Sequence, residues 1–464
     1  MTHDQPAESA GEINAWATAM QSGNGPRYLR LADFIEAAVA QGTLRPGERV
    51  PAQRSLATLL AVDLTTVTRG FNEARRRGLI EARGPLGTFI AAPRAELLQR
   101  VDLSMNIPPA PADLDMNALL REGMARVLVR SDADLLMTYH MGGGGRADWQ
   151  AGAKWLQPML GHVAPDRVVV CPGAQAALAA LILAFTQPGE VILAEPLLYP
   201  GLPHAAAQLG RRIAPVAVDA HGMRPDALEA ACREHAARLI YVNPTLQNPT
   251  TATMPEARRL EILKVAQRCG ALIVEDDPYW RFAPDAPAPL ARLAPAQVCY
   301  LATLSKTLSP GLRTAYLALP DEEARTRLVS ALRTFSLMAA PLTNGLATHW
   351  IEEGVAEQIF ADVKAEARER QRIAAHTLGS SAGAGIHLWY ALPRYWQARE
   401  LAAAASTEGL AVAPSTAFQQ GPETANAIRI SLGATGGREQ LQAALRKLST
   451  LLANDRSAQA QVIV

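Results

Sequence analysis

Residues 303–313, Thr303-Leu304-Ser305-Lys306-Thr307-Leu308-Ser309-Pro310-Gly311-Leu312-Arg313 ("TLSKTLSPGLR"), decide how the rest of the chain is read. They place one lysine among hydroxyl side chains, just behind the apolar run "QVCYLA" and seven residues ahead of an arginine. The whole chain has five lysines (Lys154, Lys264, Lys306, Lys364 and Lys447) among 45 basic residues. A chain that uses arginine almost everywhere has kept an amine at this strand end. An amine can lose its proton and add to a carbonyl carbon, which a guanidinium cannot do. A plain surface lysine is the alternative, and its place behind "YLATLS" argues against it.

Four more apolar runs end in polar or glycine-rich turns on the way to Lys306. "RVVVC" leads into Pro172-Gly173-Ala174-Gln175 and then the apolar helix pattern "AQAALAALILAF". "EVILAE" leads into Pro196-Leu197-Leu198-Tyr199-Pro200, and "RLIYV" into a loop with Asn243 and Asn248. "ALIVE" leads into Asp276-Asp277-Pro278-Tyr279. Strands alternating with helices in this way predict an α/β fold around a mostly parallel sheet, from about residue 111 onward. Ligands in such sheets bind beyond the carboxyl ends of the strands. Here those ends offer a glycine turn opening a helix, which suits a phosphate. They also offer an aromatic, an amide, a carboxylate–tyrosine pair and a hydroxyl–lysine–arginine group. Pyridoxal 5'-phosphate needs this combination: a lysine for the Schiff base, a carboxylate for the ring nitrogen, and hydroxyls with an arginine for the phosphate. Neither GxxxxGK[ST] nor GxGxxG occurs, so a P-loop or dinucleotide site is not indicated.

The motifs "PGAQAAL", "EPLLYPG", "YVNPTLQNPT", "VEDDPY", "TLSKTLSPGLR" and "IRISLG" together resemble those of fold-type I aminotransferases, from about residue 100 to the C-terminus. The resemblance implies a large domain with a mostly parallel sheet and a smaller C-terminal α+β subdomain, about 340–464. It makes Lys306 the Schiff-base lysine and Asp276 the partner of the pyridine nitrogen. Tyr279 and Asn248 are implied as hydrogen-bond partners of the ring hydroxyl, and Tyr199 as the stacking ring. Gly173, Ala174, Gln175, Thr303, Ser305 and Arg313 form the implied phosphate cup. Arg429 and Asn248 fall where the family binds the substrate carboxylate, and Tyr139 where it reaches a partner subunit's phosphate. Two features depart from the pattern. Thr251 follows "NPT" where glycine is usual, and Gly142 to Gly145 form a four-glycine run that reads as an entrance loop.

The N-terminal part has another texture. Residues 1–25 read as a loose arm, 26–91 as a compact block, and 92–110, with several prolines and no sustained periodicity, as a linker. In the block, Tyr28, Leu31, Ile35 and Val39 lie about one turn apart, the mark of an amphipathic helix. A short helix around Leu56, Leu59 and Leu60 follows. In a third, Asp63 is the expected N-cap and Leu64, Val67, Phe71 and Ala74 the inner face. "LIEARGPLGTFIA" closes the block as two strands around Gly84-Pro85 and Gly87. Between residues 27 and 90, ten arginines oppose six acids, a local surplus suited to phosphate contact. The spacing "LRPGERVPAQRSLA" within 42–90 closely resembles the GntR-family winged helix-turn-helix. By that resemblance Arg49, Arg54, Thr66, Arg69 and Gly87 are expected DNA contacts, and Thr65 and Thr68 join them from the outer face of the third helix.

Both halves in this order resemble the MocR subfamily of bacterial transcription regulators. The resemblance implies a homodimer that binds operator DNA and senses an amino acid or amine by aldimine exchange at Lys306. A working aminotransferase that carries a DNA-binding domain is the alternative. Composition agrees with a folded cytoplasmic protein: 49% hydrophobic and 19% charged residues, with net charge +1. The run Ala177 to Phe185 is too short for a membrane span. Cys171, Cys232, Cys269 and Cys299 lack metal-ligand spacing and read as free thiols, with no metal site expected.

Overall fold

The computed structural model describes residues 26–40, 43–45, 47–82, 87–91, 101–130, 132–140, 142–283, 285–380, 382–422 and 425–454. The expected arm (1–25), the first part of the expected linker (92–100) and the Gly84-Pro85 wing tip lie outside these residues. The chain divides into two compact units, 1–99 and 100–464.

In the first unit the helix Arg27–Ala40 is followed by β1 (Arg49–Val50), the helices Gln53–Leu59 and Leu64–Arg76, and then β2 (Ile80–Ala82) and β3 (Thr88–Ile90). The strands form an antiparallel sheet in the order β1-β3-β2, one strand more than the expected hairpin. Leu31, Ile35, Leu56, Val67, Phe71, Ala74, Ile80 and Ile90 make the core. Leu64 does not join it. As the first residue of its helix it lies beyond the packed face and is 43% exposed. Asp63 holds the N-cap position, yet its side chain makes no capping hydrogen bond.

The second unit opens with β4 (Val101–Asp102). Its central sheet has β5 (Val168–Cys171), β6 (Val191–Ala194), β7 (Arg212–Pro215), β10 (Leu239–Val242), β11 (Leu272–Asp276), β12 (Val298–Thr303) and β13 (Ala315–Ala318), with a β8–β9 hairpin (Val218–Asp219, Gly222–Met223) beside it. The order is β5-β13-β12-β11-β10-β6-β7, and β13 runs against both its neighbours. Strands buried on both faces must be apolar at every position, and "VVVC", "VILA" and "LIYV" are buried throughout. Val168 and Val170 enter one core while Val169 and Cys171 enter the other. The four-glycine run is not an entrance loop. The Gly143 carbonyl accepts from Val170 N–H (2.8 Å) and Trp149 Nε1 (3.0 Å), so the run covers the outer edge of β5.

Two boundaries differ from the sequence reading. Residues 101–110 are not linker. β4 pairs in parallel with β15 (Leu410–Ala411) after β14 (His387–Ala391), and Leu103 is fully buried, which contributes roughly 2 kcal/mol. Gly433, beyond β16 (Ala413–Pro414) and β17 (Ala427–Ser431), admits this segment because a Cβ there would fall 1.9 Å from the Ile107 carbonyl oxygen. The smaller C-terminal region also begins later than 340. Leu346, Trp350, Ile359 and Phe360 pack into the large core, whereas Ala374, Trp396, Leu401, Ile428 and Leu445 share a separate one with Leu103.

Thr251 keeps the backbone that a glycine would adopt, at φ +60°. A β-branched residue in that region is strained by about 1–2 kcal/mol. Part of any relief is offset by the greater chain entropy of glycine when unfolded. Thr251→Gly is therefore expected to raise the thermal midpoint, with a gain of about 0.5–1 kcal/mol. A lower midpoint in a thermal melt would show that the Thr251 hydroxyl, which donates to the Thr250 carbonyl at 2.6 Å, outweighs the strain.

Candidate functional site

The carboxyl ends of β5, β6, β10, β11 and β12 converge on a cavity of about 750 Å³. Its lining includes Ala174, Gln175, Tyr199, Asn248, Asp276, Tyr279, Thr303, Ser305, Lys306, Arg313 and Arg429. The antiparallel course of β13 brings Arg313, two residues before that strand, back to the same edge, since Ala315 pairs with Thr303. Gly173 lies just outside the lining and gives the cup its shape. Its φ is +89°, and a Cβ would stand 2.5 Å from Arg313 Nη2. The guanidinium thus lies against a bare backbone at the start of the helix Ala174–Phe185, whose first N–H groups have no acceptor inside the helix.

Asp276 is buried at the end of β11, and burial drives its carboxyl up to about 6, against the pull of Tyr241 and Lys306. The Tyr241 hydroxyl donates to its Oδ2 at 2.8 Å. Asn243 clamps the neighbouring backbone: its Nδ2 donates to the Asp276 carbonyl (2.5 Å), and its Oδ1 accepts from Asn248 N–H (2.6 Å). Behind this loop the buried Arg259 donates to the Pro244 carbonyl (3.2 Å) and the Thr245 hydroxyl (2.9 Å). Across the cavity, burial above all, with the Arg429 and Arg313 charges, lowers the Lys306 ammonium to about 8, although Asp276 opposes them. Lys306 Nζ donates to the backbone carbonyl of Asn106.

Arg429 reaches in from β17. Its Nη1 donates to Asn248 Oδ1 (2.7 Å) and its Nη2 to the Ser104 carbonyl (2.6 Å), with the guanidinium 4.8 Å over the Phe418 ring. Tyr279 is buried and its oxygen accepts from Asn106 Nδ2 at 2.8 Å. Tyr139 does not join the site of its own chain: it is 70% exposed and does not line the cavity.

Tyr241, Asn106, Ser104, Arg259 and the buried His387 were missed from sequence. Tyr241 reads as an ordinary strand residue in "RLIYV", and Ser104 and Asn106 lie in the stretch taken for linker.

The donor set fits pyridoxal phosphate. A helix start, two hydroxyls and Arg313 would hold a phosphate, and the Asp276 carboxylate would hold a ring nitrogen. One amine faces them, and the buried Arg429 Nε has no partner among the described residues.

In the N-terminal unit, Arg49, Arg54, Thr65 and Arg69 are exposed and Thr66 is half-buried. Gly87 lies against the Arg49 guanidinium. Arg69 stacks 4.3 Å over Tyr28. Thr68 is the exception, since its hydroxyl is engaged internally with Gln53 Oε1 and the Leu64 carbonyl, both at 2.9 Å. Arg76 and Arg77 pair with Glu73, and Arg77 also with Asp33 and Glu36, so the helix's last turn offers less charge than its sequence suggests.

Residues 129–448 match the family described as aminotransferase class I and II, and residues 27–90 match the bacterial regulatory proteins of the gntR family. An uncharacterized HTH-type transcriptional regulator of Bacillus subtilis, YdeF, is 27% identical over 94% of this chain and 97% of its own. The HTH-type transcriptional regulator TauR of Rhodobacter capsulatus is 27% identical over 85% of this chain and 90% of its own. The crystal structure of LysN, an alpha-aminoadipate aminotransferase of Thermus thermophilus complexed with N-(5'-phosphopyridoxyl)-L-leucine, superposes with a TM-score of 0.70. It is 26% identical and covers 84% of this chain and 99% of that one.

A lysine whose ammonium is lowered to about 8 is increasingly neutral above that pH. Its burial weakens the fold fully below about 8, and that penalty fades as pH rises towards its ordinary 10.5. The rate at which the purified chain takes up pyridoxal phosphate, followed by visible absorbance, should therefore rise with pH through a midpoint near 8. A midpoint near 10.5 would mean that the amine is not desolvated.

Proposed function

The chain belongs to the aminotransferase class I and II family, and with a gntR-family region ahead of that domain we propose that it is a pyridoxal-phosphate-dependent transcriptional regulator responding to an amino acid or amine. The observation that carries this reading is the convergence of Lys306, Asp276 and Arg429 on one cavity, in a chain that also holds an exposed arginine-bearing helix-turn-helix. The HTH-type regulators YdeF and TauR, alike over both parts, support it.

Bound at this site, the cofactor would supply a carbonyl carbon for a primary amine and a ring that withdraws electrons from it. The rest is done by the chain. Lys306 is the nucleophile, and its lowered ammonium makes Nζ available near neutral pH. Asp276, held by Tyr241, would accept the hydrogen bond of a protonated ring nitrogen, whose positive charge would keep the carboxylate ionised. The helix start at Ala174, with Thr303, Ser305 and Arg313, takes the phosphate. Arg429 takes the ligand's carboxylate, a planar task that suits a guanidinium. The same groups would serve proton transfer in a transaminase, so turnover is the second reading, and LysN favours it.

A second copy of the chain is the partner we assign to the apolar side chains Leu128, Val129, Met137, Tyr139 and Phe335, all exposed. Residues 137–140 and 335–338 lie together, since His140 N–H donates to Met338 Sδ at 3.2 Å. Exposed apolar side chains in this number support a covered face, and Tyr139 of one copy reaching the other copy's site is part of the same reading.

On the DNA side, Arg54 is the phosphate contact we assign to the second helix. Arg54→Ala should lower affinity for the chain's own promoter DNA and reduce the salt slope by about one unit. An unchanged slope removes Arg54 from the interface. Lys306→Ala should lose the visible absorbance and the amino-acid response while keeping DNA binding. A variant that responds as the parent does would contradict the sensing role.

A further inference from the structure

Among the described residues, two buried polar atoms beside the cavity have no hydrogen-bond partner, Asn106 Oδ1 and Arg429 Nε. Both residues line the cavity, and their relative exposures are only 5% and 7%. A buried acceptor and a buried donor left open carry a desolvation penalty that a ligand with the complementary groups would remove.

The other end of the Asn106 amide is fully used. Its Nδ2 lies between the Tyr279 oxygen (2.8 Å) and His387 Nδ1 (3.2 Å). With His387 Nδ1 assigned as the unprotonated ring nitrogen and the Tyr279 oxygen as an acceptor, the amide end facing them is the one with two hydrogens, and Oδ1 is the open end. His387 fits as an acceptor because burial keeps its ring neutral, pushed down to about 3. The backbone carbonyl of the same asparagine already holds an amine, that of Lys306. Asn106 is thus an amine acceptor through its main chain and has a second, open acceptor on its side chain.

The segment carrying Asn106 is fixed in place. Asp102 Oδ1 accepts from Ser104 N–H (2.7 Å), the Ser104 hydroxyl (2.6 Å) and Met105 N–H (3.0 Å). Two residues before Asn106, the Ser104 carbonyl accepts from Arg429 Nη2. One short segment therefore touches both cations on which the proposed function depends.

We propose that Asn106 is a ligand-contacting, specificity-determining residue of this site. Its Oδ1 accepts from the amine of an incoming α-amino acid whose carboxylate is held by Arg429. The inference rests on the regulator reading and deepens it by naming the ligand class. Its place on the chain matters too: Asn106 lies seven residues after Gln99, where the N-terminal unit ends. The amine contact is therefore made by the first described segment on the covalent path from the DNA-binding unit.

The test uses the full chain loaded with pyridoxal phosphate, as parent, Asn106→Ala and Asn106→Asp. Each is titrated by visible absorbance with the twenty protein L-amino acids in turn. The acid lacking the amine is then used as a competitor of the amino acid that responds. Asn106→Ala should raise the half-saturating concentration of the amino acid about 10-fold, the worth of one hydrogen bond, and leave the deaminated acid's inhibition constant unchanged. Asn106→Asp, which keeps an acceptor, should restore most of the affinity. Equal weakening of both ligands would make Asn106 a purely structural residue and overturn the proposal, as would no change for either. A parent protein that responds to no amino acid would sink the regulator reading, and this inference with it.

Discussion

A carboxylate has to stay charged inside a sheet enclosed by two apolar cores, and much of the C-terminal unit is arranged around that demand. Asp276 ends β11 where burial alone would protonate it. Tyr241 from β10 donates to it, and Lys306 from the end of β12 lends positive charge across the cavity. Asn243 fixes the Asp276 carbonyl and the Asn248 N–H in one clamp, so the acid's backbone and the substrate-facing loop hold a single geometry. Tyr241, Asn243 and Asp276 come from adjacent parallel strands, whose aligned carboxyl ends bring them within hydrogen-bond reach, and Lys306 follows the next strand.

Arg429 ties this arrangement to the smaller C-terminal region. One guanidinium from β17 bonds Asn248 of the large sheet's loop and the Ser104 carbonyl of the segment after β4. Three parts of the chain, far apart in sequence, meet on a single cation. A ligand carboxylate arriving there competes with contacts that hold those parts together. Binding can shift a conformational equilibrium only as far as the ligand favours one state over the other, and a tenfold change in DNA affinity needs about 1.4 kcal/mol of such preference.

The main-sheet strands and the groups at their ends were legible in the sequence because their signals are local. Runs such as "RVVVC" and "ALIVE" are apolar at every position, and glycine, proline and asparagine mark the turns that follow. What escaped is held by distant contacts. Residues 101–107 have no periodicity, since their structure comes from β15, Gly433 and the two cations. Tyr241 has the composition of a core residue, and only the fold shows which acid its hydroxyl meets. The four glycines suggested mobility, yet they lie along the edge of β5, where a main-chain carbonyl was needed. The resemblance put the smaller region's start at about 340, and the burial of Leu346 and Trp350 in the large core moves it later.

In the proposed function, one cavity built around Lys306 senses an amino acid on behalf of the DNA-binding unit. The most direct test measures the affinity of the pyridoxal-phosphate-loaded full chain for its own promoter DNA, with and without the amino acid that shifts its visible band, while assaying 2-oxo acid in the same sample. A regulator should show a salt-matched affinity change of several-fold, with 2-oxo acid remaining below one equivalent of protein. A shifted band with unchanged DNA affinity and steadily accumulating 2-oxo acid would contradict that reading and make the chain an aminotransferase first.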